Sequence, residues 1–201
     1  MKKLLFVFVF CLGTGCLIQA QVCIVGDQFF ASQAQVDTFV TTYSGTCNSI
    51  DGNVTFFNTN ITDVSGLSFI TEITGDLTIN RTLLTDLTGL DNLTTVSGNF
   101  LILRDNFSLM DVSGLQNLAN FTGSLQVINN RVLPSLTGLN GITQLASLLI
   151  DNNLNFTNLG GLTNLTTCGT INLNNCFNLV DISSLQNLNI CLLYTSPSPR
   201  D

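Results

Sequence analysis

The chain is 201 residues long and 45% hydrophobic, yet only 9% of it is charged; its formal charge is −7 and it has no histidine. Between residues 21 and 190 three arginines (Arg81, Arg104, Arg131) stand against twelve acidic residues and no lysine, a balance of −9. That surface repels phosphate backbones, which argues against a nucleic-acid partner, while the length suffices for one domain with a real core. Solvation falls instead to Asn, Thr, Ser and Gly, which suits an exported β protein.

The N-terminus reads as a signal peptide over residues 1–20, with "MKK" before the apolar run "LLFVFVFCLGTGCLI" and "IQA" before Gln21. The run is shorter than the ~20 apolar residues of a membrane span and is interrupted by Gly13, Thr14 and Gly15, so no transmembrane segment is predicted. Lipid attachment at Cys16 is the lesser reading, because "GTGC" lacks an aliphatic residue three positions before the cysteine. In residues 21–46, "SQAQVDTFVTTYSGTC" sets Ser32 as a helix cap ahead of Val36, Phe39 and Val40 at helical spacing.

From Cys47 to Leu188 the sequence repeats six times, in units of 24, 23, 25, 24, 23 and 23 residues. Each unit opens with an alternating apolar pair that predicts a short, half-buried strand: Val54/Phe56, Leu77/Ile79, Phe100/Ile102, Leu125/Val127, Leu148/Ile150 and Ile171/Leu173. A second register follows with a period of three, as in Leu87, Leu90 and Leu93, which is neither helix nor strand. A chain that turns inward every third residue is winding round a core in tight corners. Glycines 66, 89, 114, 138 and 161 stand just before inward residues, where a positive φ is expected.

The last eleven residues, "CLLYTSPSPRD", break the pattern and hold two of the chain's three prolines. Back-translated, they resemble a transposase adapter of sequencing libraries. Residues 191–201 are therefore set aside from fold reasoning, and the natural protein is expected to continue past Ile190.

"ITGDLTINRTLLTDLTGLDNL" and its siblings resemble the receptor L domain, the leucine-rich-repeat-like β-helix of insulin and epidermal growth factor receptor ectodomains. They are also similar to many secreted bacterial surface proteins. The resemblance spans residues 22 to 190 and lacks only the distal cap. Together with the repeats it predicts an all-β solenoid over residues 47–190, a right-handed parallel β-helix of six coils with a short N-terminal capping helix. In the family that helix closes the first coil with a disulfide beside it. Cys23 and Cys47 bracket the predicted helix and, in an exported protein, are the expected pair.

Chemistry has little to stand on. Without histidine, lysine in the mature part or a nucleophile signature, no catalytic residue, metal site or cofactor is predicted. Cys176 holds a turn position that other units fill with Thr59, Thr82, Asp105, Asn130 and Asn153, while Cys168 takes an inward site; buried thiols are favoured over a bridge between them. Asp63, Asp86, Asp111 and Asp181 recur at one position with Ser135 and Asn158 substituting, which fits turns that accept backbone amides better than a calcium ladder. Eight Asn-x-Ser/Thr triplets occur, most of them expected by chance in so Asn- and Thr-rich a chain.

What remains is the outward side of the strands: Thr55, Thr78, Leu101, Gln126, Leu149 and Asn172, a nearly uncharged ladder. The resembled receptors bind ligand partly through theirs, and solenoids use such faces generally. The expected function is a non-catalytic binding or adhesion module for an extracellular protein or carbohydrate, secreted or on the outer surface of a bacterium. The alternative is a recognition or spacer module of an extracellular enzyme whose catalytic domain lies beyond residue 190.

Without a distal cap, Leu173, Leu185 and Leu188 are expected to be exposed and to make residues 21–190 aggregate in isolation. Size-exclusion chromatography showing a stable monomer that unfolds cooperatively would overturn this.

Overall fold

The structure, a computed structural model, describes residues 22–195. The expected signal peptide, its Cys16 and residues 196–201 lie outside the described residues, as do the side chains of Cys23 and Cys191. In chain order the strands are β1 (Val22–Val25), β2 (Gln28–Phe30), β3 (Ser49–Asp51), β4 (Val54–Phe57), β5 (Glu72–Ile73) and β6 (Leu77–Asn80). They continue as β7 (Thr95–Val96), β8 (Phe100–Arg104), β9 (Ser124–Ile128), β10 (Gln144–Asp151), β11 (Thr167–Asn174) and β12 (Ile190–Thr195). A single helix, α1 (Gln33–Tyr43), is present among the described residues.

All pairing between these strands is parallel. One sheet has eight strands in the order β12-β11-β10-β9-β8-β6-β4-β2, the other four in the order β1-β3-β5-β7. Each sequence repeat thus gives the larger sheet one strand, and strands of consecutive repeats lie side by side. The chain is mostly β, as the repeats predict. The backbone of Ile190–Thr195 continues the ladder on the open side of β11, with Leu193 opposite Ile171. A free parallel edge offers its amides and carbonyls to whatever extended segment follows, so residues set aside on sequence grounds form a strand here.

Alternation puts Val54/Phe56, Leu77/Ile79, Leu125/Val127 and Leu148/Ile150 in the core, as expected. The third repeat differs. Leu101 and Leu103 are buried in place of Phe100 and Ile102, and Leu101 pairs with Leu77 on one side and Leu125 on the other. "FLIL" is apolar at every position, so alternation cannot choose its register; the neighbouring strands do.

The period of three has a direct cause. Leu90 N–H donates to Leu87 O and Leu93 N–H to Leu90 O, both at 3.0 Å, and the same i to i−3 bonds join Val64, Leu67 and Ile70. Such bonds make 3₁₀-type turns, whose side chains eclipse every third residue. Three are regular enough to form 3₁₀ segments, Ser65–Leu67, Ser113–Leu115 and Ser183–Leu185. Positive φ is confined to Gly89, Gly138 and Gly161 among the five corner glycines. Gly66 and Gly114 lie inside 3₁₀ segments without it, and Gly114 is required by proximity, since a Cβ there would overlap the Leu87 carbonyl.

Helix α1 starts where expected, with the Ser32 side chain accepting from Gln35 N–H at 3.3 Å. Its Phe39 meets Phe30 edge-on at 5.2 Å, and Phe30 stacks on Phe56 at 5.0 Å, so the helix covers the apolar end of the first repeat. Gln33 secures it there. Its Oε1 accepts the N–H groups of Thr62 and Asp63, and its Nε2 donates to Asp63 O. Cys47 is a half-buried free thiol in the structure, so the Cys23 pairing stays an expectation.

Where each strand turns the corner, a buried side chain meets the backbone. Asn106, Asn130 and Asn153 are 0% exposed. Thr82 N–H donates to Asn106 Oδ1 at 3.0 Å, Asn106 N–H to Asn130 Oδ1 at 3.1 Å, and Asn130 N–H to Asn153 Oδ1 at 2.8 Å. The Nδ2 groups reach back to the strand ends of the preceding repeat, at Ile79 O, Leu103 O and Val127 O. Cys176 ends the row, its thiol donating to Asn174 O at 3.2 Å. In the third repeat Asn106, one residue beyond the expected Asp105, takes this role; in the first, Thr59 is exposed and takes no part.

Asn130→Leu should lower stability by about 2–4 kcal/mol, because it orphans the Asn106 N–H and the buried Leu103 carbonyl and removes a bond to the part-buried Ile128 carbonyl. Urea midpoints test this. Thr78→Val, outside the row, should move the midpoint by no more than about 0.5 kcal/mol equivalent.

Candidate binding face

The eight-stranded sheet presents two outward columns. Register pairs align Phe29, Thr55, Thr78, Ile102, Gln126, Leu149 and Asn172 in the first. At ~4.8 Å per strand, the sheet spans about 34 Å. Five of the six residues expected there, Thr55, Thr78, Gln126, Leu149 and Asn172, lie in this column, and all are half-exposed. Leu101 does not: it is 0% exposed, and Ile102 takes the outward place. The same shift of register makes Phe100 the neighbour of Ser124.

The second column was not foreseen. It comprises Phe57, Asn80, Arg104, Ile128, Asp151 and Asn174, each two residues after a member of the first. Period-two alternation alone points to it. Just past the strands runs a row in left-handed backbone: Arg81, Asp105, Asn129, Asn152 and Asn175, with φ between 51° and 57°. Asn and Asp tolerate that conformation and Arg does so less readily. Their side chains link repeat to repeat, Asn129 Nδ2 to Asp105 Oδ1 at 2.7 Å and Asn152 Nδ2 to Asn129 Oδ1 at 3.0 Å.

Away from the face, side chains are committed to turns. Asp63, Asp86, Asp111 and Asp181 each accept the N–H two residues on, at 2.7, 2.9, 2.7 and 2.8 Å. Asn158 does the same for Gly160, and Ser135 Oγ for Thr137. The recurrent acid is therefore an Asx-type turn. Hydrogen bonds from the Thr88 side chain and backbone hold the Asp86 carboxyl below its ordinary range, and the Ser183 backbone N–H and hydroxyl do likewise for Asp181. Burial pushes the Cys176 thiol up, so it is not an activated nucleophile. Cys168 is buried and donates to Thr170 O. Asn92, Asn117, Asn164 and Asn187 donate their amides to carbonyls of the preceding repeat, which engages two of the eight Asn-x-Ser/Thr triplets, and burial takes a third at Asn106.

Parallel strands supplied one per repeat, with 3₁₀ corners and an internal amide row, make a mostly β structure with a broad sheet face, consistent with the L-domain fold. Residues 46–132 match the family model of the receptor L domain, so the resemblance read from the repeats holds over that stretch. No curated protein matches the chain. Receptor L domains are, in general, extracellular ligand-binding modules without catalytic activity. Among the described residues no helix is long and apolar enough to cross a membrane.

The folded-state shifts of Asp86 and Asp181 are downward, so their turns add stability that is present above the unfolded carboxylate value of about 3.9 and is lost as pH falls from there through the lower folded-state values. The melting temperature should therefore drop below pH 4, less steeply in Asp86→Asn with Asp181→Asn. Calcium against a chelator should leave it unchanged at neutral pH.

Proposed function

We propose that this chain is a non-catalytic binding or adhesion module, secreted or held at the cell surface, that meets an extracellular protein or carbohydrate with its eight-stranded face. The repeats over residues 47–190 are read as six coils of a right-handed parallel β-helix, closed at the N-terminal end by α1. The observation that carries the reading is the division of labour among side chains. At the corners Asp, Asn and Ser are spent on backbone groups. On the face, Thr55, Thr78 and Gln126 are tied to no other described residue and stand in one column with Ile102 and Leu149.

That mixture of hydroxyl, amide and isolated apolar groups is what a protein-binding surface of moderate polarity offers. Its near neutrality in a strongly acidic chain lowers the electrostatic cost of approach by other acidic partners. The match to the receptor L domain model over residues 46–132 supports extracellular ligand binding at the level of class.

The full chain would be screened against arrays of glycans and of extracellular proteins, and each hit remeasured with two variants. Gln126→Glu with Leu149→Glu should weaken a true ligand at least about tenfold by placing two unpaired charges in the contact. Gln116→Arg, on an exposed corner, should leave it unchanged. Loss with the corner variant and retention with the face variant would sink the reading.

A further inference from the structure

Positive charge is scarce in this chain, and within the repeats it is concentrated at one place. The three arginines of residues 21–190 fall on three consecutive repeats, at the strand ends bordering the face. Arg81 follows Asn80 on β6, Arg104 lies opposite Asn80 on β8, and Arg131 comes three residues after Ile128, the partner of Arg104 on β9. Of twelve acids, one is hydrogen-bonded to this cluster. Asp105 Oδ2 accepts from Arg81 Nε at 3.4 Å, and its Oδ1 is taken by Asn129 Nδ2 at 2.7 Å. Arg131 Nε donates to the neutral Asn129 amide at 3.2 Å.

Two of the guanidiniums are braced on rings, Arg81 over Phe57 at 5.8 Å and Arg131 over Phe107 at 5.2 Å. Arg81 is 61% exposed at the side chain. Each therefore keeps its outer N–H fork available for a planar acceptor such as a carboxylate. A second observation points the same way. Arg104 Nε, a donor, and Asn80 Oδ1, an acceptor, sit on register-paired residues, and both are buried without a partner among the described residues. Buried polar atoms are ordinarily satisfied, yet among the described residues no acid is hydrogen-bonded or ion-paired to Arg104, so its charge is left uncompensated beside those of Arg81 and Arg131. Ile102 and Ile128 flank the pair on the same face.

We infer that the region around Asn80, Arg81, Arg104 and Arg131 is the anchoring point of the face for an extended protein segment carrying carboxylate side chains beside apolar ones. The inference rests on the strand-face reading and narrows it. The segment lies across Ile102 and Ile128, and its carboxylates take the arginine forks. An acidic glycan fits less well, since the ring faces it would stack on are covered by guanidinium groups.

The test pans a random dodecapeptide phage library on the immobilised full chain and remeasures the enriched peptides as synthetic probes. Enrichment of Asp or Glu beside apolar residues is expected, with binding that weakens in salt. Arg81→Gln with Arg104→Gln should cut affinity by about tenfold or more, as should amidation of the peptide's acids. Arg131→Gln is a second variant should the pair shift the urea midpoint. Neutral peptides lost with Gln126→Glu and Leu149→Glu, but indifferent to the arginine variants, would overturn the acidic partner and leave the face reading standing. Peptides indifferent to both sets would bring down both. Failure to enrich any peptide, or arginine-dependent binding of heparin alone, would overturn the protein-segment assignment.

Discussion

Turning a strand inward at every corner brings peptide groups into an apolar interior, and each needs a partner there. The Asn106–Asn130–Asn153 row supplies it. One side-chain amide accepts an N–H from the preceding repeat and donates to a carbonyl of the same repeat. An amide does both because it carries an acceptor and donors together on a stem of fixed reach. At the ends of the row the demand relaxes. Thr82 serves at one end through its hydroxyl, and Cys176 at the other through a weak thiol donor. The spacing of the strands, and hence the columns of the outward face, follow from this row being in register.

Much of this was legible because the physics repeats. Residues at which several repeats agree can be read by comparing the chain with itself, as with the Asp, Asn and Ser of the corner turns and the leucines of the 3₁₀ register. The third repeat escaped. Its extra residue and its uninterrupted "FLIL" removed both the length and the polarity cue, so the assignment of Phe100 and Ile102 to the core failed and took Leu101 and Asp105 with it. The glycines failed for another reason. Gly66 and Gly114 look identical in sequence to Gly89, yet answer to the nearness of Val40 and of the Leu87 carbonyl rather than to φ.

The face was half legible. Period-two alternation gave the column of Thr55, Thr78, Gln126, Leu149 and Asn172. The second column and the left-handed row beside it were not read, because in sequence they merge with the turn. Their content is decided across repeats, where Asn80 meets Arg104 and Asp105 meets Asn129. No local pattern in the chain encodes those neighbours. Only the strand register brings them together.

The bonds that join neighbouring repeats, strand to strand and amide to backbone, run from one repeat to the next. A pull between the two ends of the stack therefore loads them one interface after another. Each repeat released at its boundary frees 23 to 25 residues, about 80 Å of extended chain. Under tension such a stack pays out slack in steps of similar length while the repeats still in place keep their registers. A force applied through a partner lying across several strands is instead shared among them. The repeat length that spaces the buried asparagines thus also sets the increment by which the chain can lengthen when it is stretched.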